Sequence, residues 1–318
     1  MKFHIVMEKT TGELMRLRRL AVVIAAGLLP AIILGLVWRQ NFGTMSLQMQ
    51  THSLVGYFLL VSFIWIAGVY IAYVITTSGM EFISREEDEG TMLLIVSKPI
   101  SRFQFILGKF LALLLTTLLL ELVILFGSVV VFWGLMRLDS EVVQALIGLV
   151  PWIFLYSIIV TMLFGALTLA MSTLLRSRVA KTVLTVLLVM LFFGVGPILR
   201  IALPSTYDSY HLYYADPGYH LGNAYLSVSD QAESGRMTPR MQAYLGLFTG
   251  TYKTGVEEVV LSMFMGSSKS FDPDIGAMPP SLERTDYLSP WVSVLLCLAV
   301  SAAALGVARI AMERKEVC

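Results

Sequence analysis

Four consecutive acidic residues, Glu86, Glu87, Asp88 and Glu89, stand before Gly90-Thr91, an apolar run from Met92 to Val96, and then Pro99, Ser101 and Arg102. A dense carboxylate face beside an apolar turn suits docking, because charge steers and registers a basic partner while the neighbouring apolar residues supply burial. Taken alone, the same run also reads as a solvated face balancing nearby Arg and Lys. Glu121 differs in kind. In "LLLTTLLLELVILF" an ionised carboxylate turned to lipid costs about 2.5 to 3.5 kcal/mol on insertion scales, so it should face protein or water. Bonded to a hydroxyl such as Thr116 or Thr117 it is structural; on a pathway or an interface it is functional.

Other chemistry has little to stand on. A phosphate-binding loop needs G-x-x-x-x-G-K-[ST], and the only Gly-Lys pair, Gly108-Lys109, is followed by Phe110 and has Phe103 where the first Gly belongs. The chain therefore holds no ATP site of its own. H-E-x-x-H, paired catalytic carboxylates and G-x-S-x-G are absent, which leaves a membrane-embedded enzyme without visible machinery. His211, Asp216 and His220 match no standard metal spacing. Met237, Met241, Met263, Met265 and Met278 are soft donors that suit Cu(I) but equally fill apolar gaps. No cofactor and no metal are expected in this chain.

These residues must be positioned by elements fit for lipid. With 57% hydrophobic and 14% charged residues and a mean hydropathy of +0.76, the chain is far more apolar than a soluble domain of its length. The hydrocarbon core is about 30 Å thick, which about 20 apolar helical residues cross. Six runs qualify, roughly Leu20 to Trp38, Leu54 to Thr76, Phe105 to Leu135, Leu146 to Leu175, Val179 to Leu203 and Leu288 to Ala308. They are continuously apolar and lack strand alternation, so the expected fold is an all-α polytopic membrane protein.

Lys and Arg gather in the N-terminal lead, the connections after the second and fourth runs, and the tail, against only Arg39 and Arg137 in the short loops opposite. Both termini are thus expected in the cytoplasm, in a plasma (inner) membrane. The domain reading follows: 1–19 a cytoplasmic interfacial helix in contact with lipid, 20–203 five transmembrane helices with a cytoplasmic loop over 77–104, 204–287 an extracytoplasmic domain, 288–308 the sixth helix, and 309–318 a cytoplasmic tail. The segment Pro204 to Tyr287 holds nine of the thirteen tyrosines, too many for a disordered linker. It reads as a small folded domain or a set of membrane-resting helices. One helix is expected from Thr238-Pro239 toward Gly250, another from the capping box Thr254-x-x-Glu257.

Within the acidic stretch, Ser78-x-x-Glu81 reads as a capping box that opens a new helix. Gly90 stops it, Met92 to Val96 forms a short apolar turn, Pro99 breaks again, and Ser101-x-x-Gln104 caps the third span. The product is a bent two-part helical element, acidic on one side and apolar on the other.

The string "SREEDEGTMLLIVSKPISRFQFILGKFLALL" as a whole resembles the permease subunits of the ABC-2 class of ATP-binding-cassette transporters. They carry an E-x-E-x-G-T core, an apolar run, then S-x-P-I-S-R and G-K-F between the second and third spans. The likeness is closest to the branch that includes the permease of the nitrous-oxide-reductase maturation transporter, and at motif level it covers about residues 54 to 115. It implies that the loop is a coupling helix resting on an ATPase subunit, with Glu86, Glu87, Glu89, Gly90 and Thr91 in contact and Pro99, Ser101 and Arg102 setting the start of the third span. It further implies an ABC ATPase partner, two copies expected, which binds the ATP and Mg. A second permease copy or homologue is implied too, with export across the membrane as the function. A mechanotransmitting scaffold that drives an extracytoplasmic partner, without moving a substrate, remains the alternative. With a formal net charge of only +1, nucleic acid is not among the expected partners.

In a background without Cys297 and Cys318, single cysteines at Ser227 and Ser234 should react with a membrane-impermeant thiol reagent in intact cells, and one at Ser97 should not. Labelling of the Ser97 site from outside would reverse the orientation.

Overall fold

A computed structural model describes residues 3–42, 46–83, 86, 101–175, 177–233, 245–246, 248–253, 283–285 and 287–314. Among the described residues, six helical rods are long and apolar enough to cross a membrane. Helix α1 (Phe3–Leu14) precedes the first, α2 (Leu17–Phe42). The next, α3 (Leu47–Gly79), is an α-helix interrupted by a π-helical stretch, Ser62–Tyr70. Two 35-residue helices follow, α4 (Arg102–Met136) and α5 (Ser140–Leu174). The fifth rod, α6, joins Arg178–Met190 and Gly196–Ala202 through a second π stretch, Leu191–Val195. The short α7 (Pro204–Ser209) and α8 (Pro217–Glu233) lead toward the last rod, α9 (Pro290–Arg314). The all-α expectation holds for the bundle. A two-residue antiparallel pair, β1 (Tyr252–Lys253) with β2 (Glu283–Arg284), is the small addition.

The lengths fall where apolar sequence and caps allow. Ser101 accepts from the Gln104 amide at 3.1 Å while the Gln104 side chain accepts from the Ser101 amide at 3.2 Å, so the expected capping box starts α4. The box expected at Ser78-x-x-Glu81 does not form. Ser78 lies inside the last turn of α3, where its hydroxyl bonds back to the Val74 carbonyl and accepts from Arg19. The bond back along the helix satisfies the hydroxyl within α3, which ends at Gly79, and helical residues resume at Phe82 and Ile83 without Ser78 as their cap. The basic lead is helical only to Leu14, and α1 lies along the start of α4 with Val6, Thr10 and Leu14 buried.

Helix α5 is the centre of the bundle, flanked by α3, α4, α8 and α9. Its buried face carries Ile153, Tyr156, Val160, Leu163, Phe164 and Leu169 at helical spacing. Gly68 marks a bend in α3, at φ −106° and ψ −113°; a Cβ there would stand 2.1 Å from the Phe63 carbonyl oxygen, so only glycine fits.

Residues 204–233 depart from the picture of a separate extracytoplasmic domain, because α8 packs into the bundle against α5 and α9. The Tyr225 hydroxyl donates to the Leu59 carbonyl at 2.7 Å, and Leu59 lies roughly 18 Å along α3 from its first residue at about 1.5 Å per residue. Tyr225 also meets Tyr156 edge to face and Phe63 at a tilt, its ring filling the bundle while its hydroxyl finds a carbonyl. Ser227, half-buried on α8, makes Ser234 the informative site for the labelling test. The expected end of a helix at Gly250 is present, with Gly250 at φ +78°. The start of that helix and the Thr254 capping box lie outside the described residues.

Asp216 fastens the start of this helix. Its Oδ1 accepts from the Gly218 and Tyr219 amides at 2.9 and 3.1 Å, its Oδ2 accepts from Tyr207 at 2.9 Å, and Arg200 Nε stands 3.3 Å from Oδ2. Arg200 also donates to the Thr249 carbonyl at 2.8 Å. Burial first, and then the Asp216 charge, push the Tyr207 phenol well above its ordinary value and keep it a donor. Asp216→Ala removes the cap and leaves a buried guanidinium without its carboxylate, a change that costs about 3 to 5 kcal/mol in buried pairs. It should open the 204–233 segment to protease under conditions where the wild-type chain resists, and Asp216→Asn, which retains the cap, should be cleaved more slowly.

Candidate functional site

The acidic stretch enters the described structure through Glu86, and its side chain is not turned outward. It is 4% exposed and bonded to two lysines, Lys109 Nζ at 2.8 Å and Lys9 Nζ at 3.1 Å. Lys109 is itself only 3% exposed and lies over the rings of Phe82 and Phe105, at 5.1 and 5.4 Å from their centroids. Glu86 thus departs from the expected outward-facing contact residue, and the physical reason is Lys109. An ammonium two turns into α4 would be buried without a counter-ion, and the carboxylate brought back by the chain after α3 supplies one. The bridge ties three elements together: α1 through Lys9, the end of α3 through the following segment, and α4 through Lys109.

Arg102 has an equally definite place. Its Nη1 donates to the carbonyls of Met312 and Glu313 at 2.8 and 2.7 Å, the last turn of α9. A guanidinium at a helix C-terminus satisfies carbonyls that have no partner within the helix. Ser101 caps α4 beside it, and Arg102, the first residue of α4, clamps the last span to the third. Glu87, Glu89, Gly90, Thr91 and Pro99 lie outside the described residues.

A cavity of about 80 Å³ opens between these parts, lined by Glu13, Arg19, Ser78, Glu81, Glu86 and Lys109. Sequence reasoning found Glu86 but missed Lys9, Arg19 and Lys109 as its surroundings. The signal available was Lys109 itself, a cation seven residues inside a helix read as a membrane span.

Glu121 lies near the middle of α4 and is fully buried, facing protein as expected. Its partner is Ser157 on α5, and not Thr116 or Thr117. Thr117 bonds back to the Leu113 carbonyl at 2.7 Å. Tyr156 is the neighbour of Ser157 and lies within electrostatic range of Glu121.

A larger apolar cavity of about 540 Å³ lies between α5, α6, α8 and α9. His220 is its main polar wall residue, and both ring nitrogens are engaged, with Ser293 at 3.2 Å and the Tyr214 carbonyl at 3.1 Å. The wall therefore offers little to recognise a polar cargo. His211 contacts the Tyr213 hydroxyl at 3.0 Å, away from the Asp216 and His220 networks.

Comparison with known proteins gives a match over almost the whole chain: the family described as ABC-2 family transporter protein matches residues 4–317. No curated protein matches the chain significantly.

The Glu86 bridge predicts unequal effects in thermal unfolding of the detergent-solubilised chain. Lys109→Met should cost about 3 to 5 kcal/mol because a buried carboxylate loses its nearest counter-ion. Lys9→Met, at a half-exposed position, should cost about 1 kcal/mol or less. Glu86→Gln combined with Lys109→Met should be milder than Lys109→Met alone; equal or greater destabilisation would contradict the bridge.

Proposed function

The chain belongs to the ABC-2 family of transporter proteins, and from that premise we propose that it is the permease subunit of an exporter driven by ATP hydrolysed on a separate subunit. Family membership makes it a multi-pass membrane protein and a component of an ABC transporter without an ATPase site of its own, in keeping with six apolar rods and no phosphate-binding loop. The observation that carries the reading is the extent of the match, residues 4–317, which runs from α1 to the chain's last residues and includes the coupling stretch.

In this reading both termini are cytoplasmic, and the segment between α3 and α4 is the coupling element that two ATPase subunits engage, one on each of two permease copies. Glu87, Glu89, Gly90 and Thr91 form the contact face. Glu86, although expected among them, serves by holding the segment: its bridge to Lys109 and Lys9 gives the contact face a fixed base on α4 and α1. Arg102 and Ser101 extend that base to α9. A push on the segment then reaches α1 and the third and sixth spans through ionic and hydrogen-bonded contacts. The likeness to the nitrous-oxide-reductase maturation branch is part of the same proposal, and it rests on the motif between Glu86 and Phe110. Residues between α8 and α9 are proposed to form an extracytoplasmic gate or docking module.

The test is biochemical. The purified chain should hydrolyse no ATP, and mild extraction from its native host should bring down an ATPase subunit in equal amount. Glu87→Lys with Glu89→Lys should weaken that association in a salt-dependent way, since exposed charge pairs contribute about 1 kcal/mol or less each and are screened. Gly90→Pro should leave the association intact while lowering stimulated hydrolysis, because it alters backbone geometry and no charge. Glu257→Lys and Glu258→Lys should do neither. Hydrolysis by the chain alone, or wild-type association and stimulation in both coupling variants, would overturn the proposal.

A further inference from the structure

Glu121 is fully buried on α4, and no cation stands against it among the described residues. The Ser157 hydroxyl donates to its Oε1 and also lies 2.8 Å from the Ile153 carbonyl oxygen, so its one proton is shared between two acceptors. An ionised Glu121 would have this single partner in a fully buried layer, since Oε2 has none among the described residues.

The surroundings continue the polar character toward the basic end of the bundle. One turn from Glu121 on α4 are Thr116 and Thr117, and one turn from Ser157 on α5 is Thr161; the Thr116 and Thr161 hydroxyls are buried and without partners among the described residues. Thr116 and Thr117 line a void of about 10 Å³ together with Arg19 and Ser78. That void is just large enough for one water, which needs about 10–15 Å³ and two to four polar partners. Arg19 and Ser78 also line the 80 Å³ cavity that contains Glu86 and Lys109, which has room for several waters.

We propose that Glu121 is a proton-binding site, loaded from the basic end of the bundle through waters held between Ser78, Arg19, Thr116 and Thr117. The proton comes from hydronium in the bulk solution and is relayed by water in the cavity beside Glu86 and Lys109; each relaying water ends neutral, and the carboxylate is neutralised. The titratable group within electrostatic range of Glu121 is Tyr156 on α5, which in turn neighbours Tyr225 on α8 and Cys297 on α9, all ordinarily neutral at physiological pH. On the route stand Arg19 of α2, Lys9 and Glu13 of α1, Glu81 and Glu86 after α3, and Lys109 of α4. The site does not depend on what the transporter carries or on which subunit supplies ATP, and it gives the protein a second, proton-linked activity.

Infrared difference spectroscopy on the full chain, with its co-purified ATPase, in lipid nanodiscs tests this. The wild type should show the carbonyl band of a protonated carboxylic acid that Glu121→Gln lacks and Glu121→Asp shifts. Transfer into D₂O should shift the wild-type band, and Thr116→Val with Thr117→Val should keep the band but slow its exchange severalfold. A wild-type band unchanged by both Glu121 substitutions overturns the site. No exchange in the wild type, or equal exchange in the Thr double variant, overturns the route. If Glu121→Gln does not fold, the Glu121→Asp spectrum decides alone.

Discussion

A polar group inside a bundle made for hydrocarbon has no water to fall back on, and each one left without a partner costs several kcal/mol. That constraint decides where this chain places its few charges. Lys109 and Glu86 neutralise each other at the basic end, Glu121 finds a hydroxyl at mid-depth, and Arg200 meets Asp216 at the far end. Each pair joins separate elements, so each of these buried charges also acts as a tie. The Glu86 pair fixes the segment after α3, the Asp216 pair fixes α8, and between them the core is filled by apolar and aromatic side chains that have no such demand.

The far end shows what this does to tyrosine-rich sequence. Tyr207, Tyr219 and Tyr225 are buried, and each places its ring in apolar packing while its oxygen bonds to Asp216, to the Leu288 amide or to the Leu59 carbonyl. An amphipathic ring is suited to a helix that descends from the interface into the bundle. Asn223 completes the join, donating to the Leu288 carbonyl and to Ser293 at the start of α9. Helix α8 is thereby attached to the sixth rod as well as to the second.

The six rods were legible because a run of apolar residues long enough to span hydrocarbon has few other uses, and the Ser101 cap was legible because its chemistry is local. Ser78 misled because the same hydroxyl that caps a new helix also bonds back within an old one; the new helical turn does begin at Phe82, but without that cap. The descent of α8 was hidden by its composition. Pro217–Glu233 carries enough polar residues to look extramembrane, and their partners, Leu59, Leu288 and Ser293, are far away in sequence. At the candidate site, Glu86 could be singled out from its neighbours, but its direction could not. Four adjacent carboxylates are equivalent in sequence, and the position of Lys109 on α4 is what selects the one that turns inward. Glu121 was expected to face protein, and the serine that meets it stands 36 residues on, beyond any local pattern.

The two π-helical stretches bear on how a displacement could pass through such a tied bundle. Ser62–Tyr70 in α3 and Leu191–Val195 in α6 touch across the core, with Phe63 beside Phe193, and Phe192 and Phe193 against Phe164. A π stretch breaks the regular i to i−4 ladder, and Gly68 departs from helical geometry altogether. The part of α3 after the π stretch, Ile71–Gly79, is therefore joined to the part before it at a point where few regular backbone bonds need be broken for the angle to change. The ionic ties lie on either side of that point, Glu86 toward one end and Asp216 toward the other. A bundle clamped at both ends and already bent in the middle concentrates any change of helix angle at the layer that holds Phe63, Tyr156 and Tyr225, beside Glu121. The geometry thus places the one buried carboxylate of the third span next to the place where the second span is most able to bend.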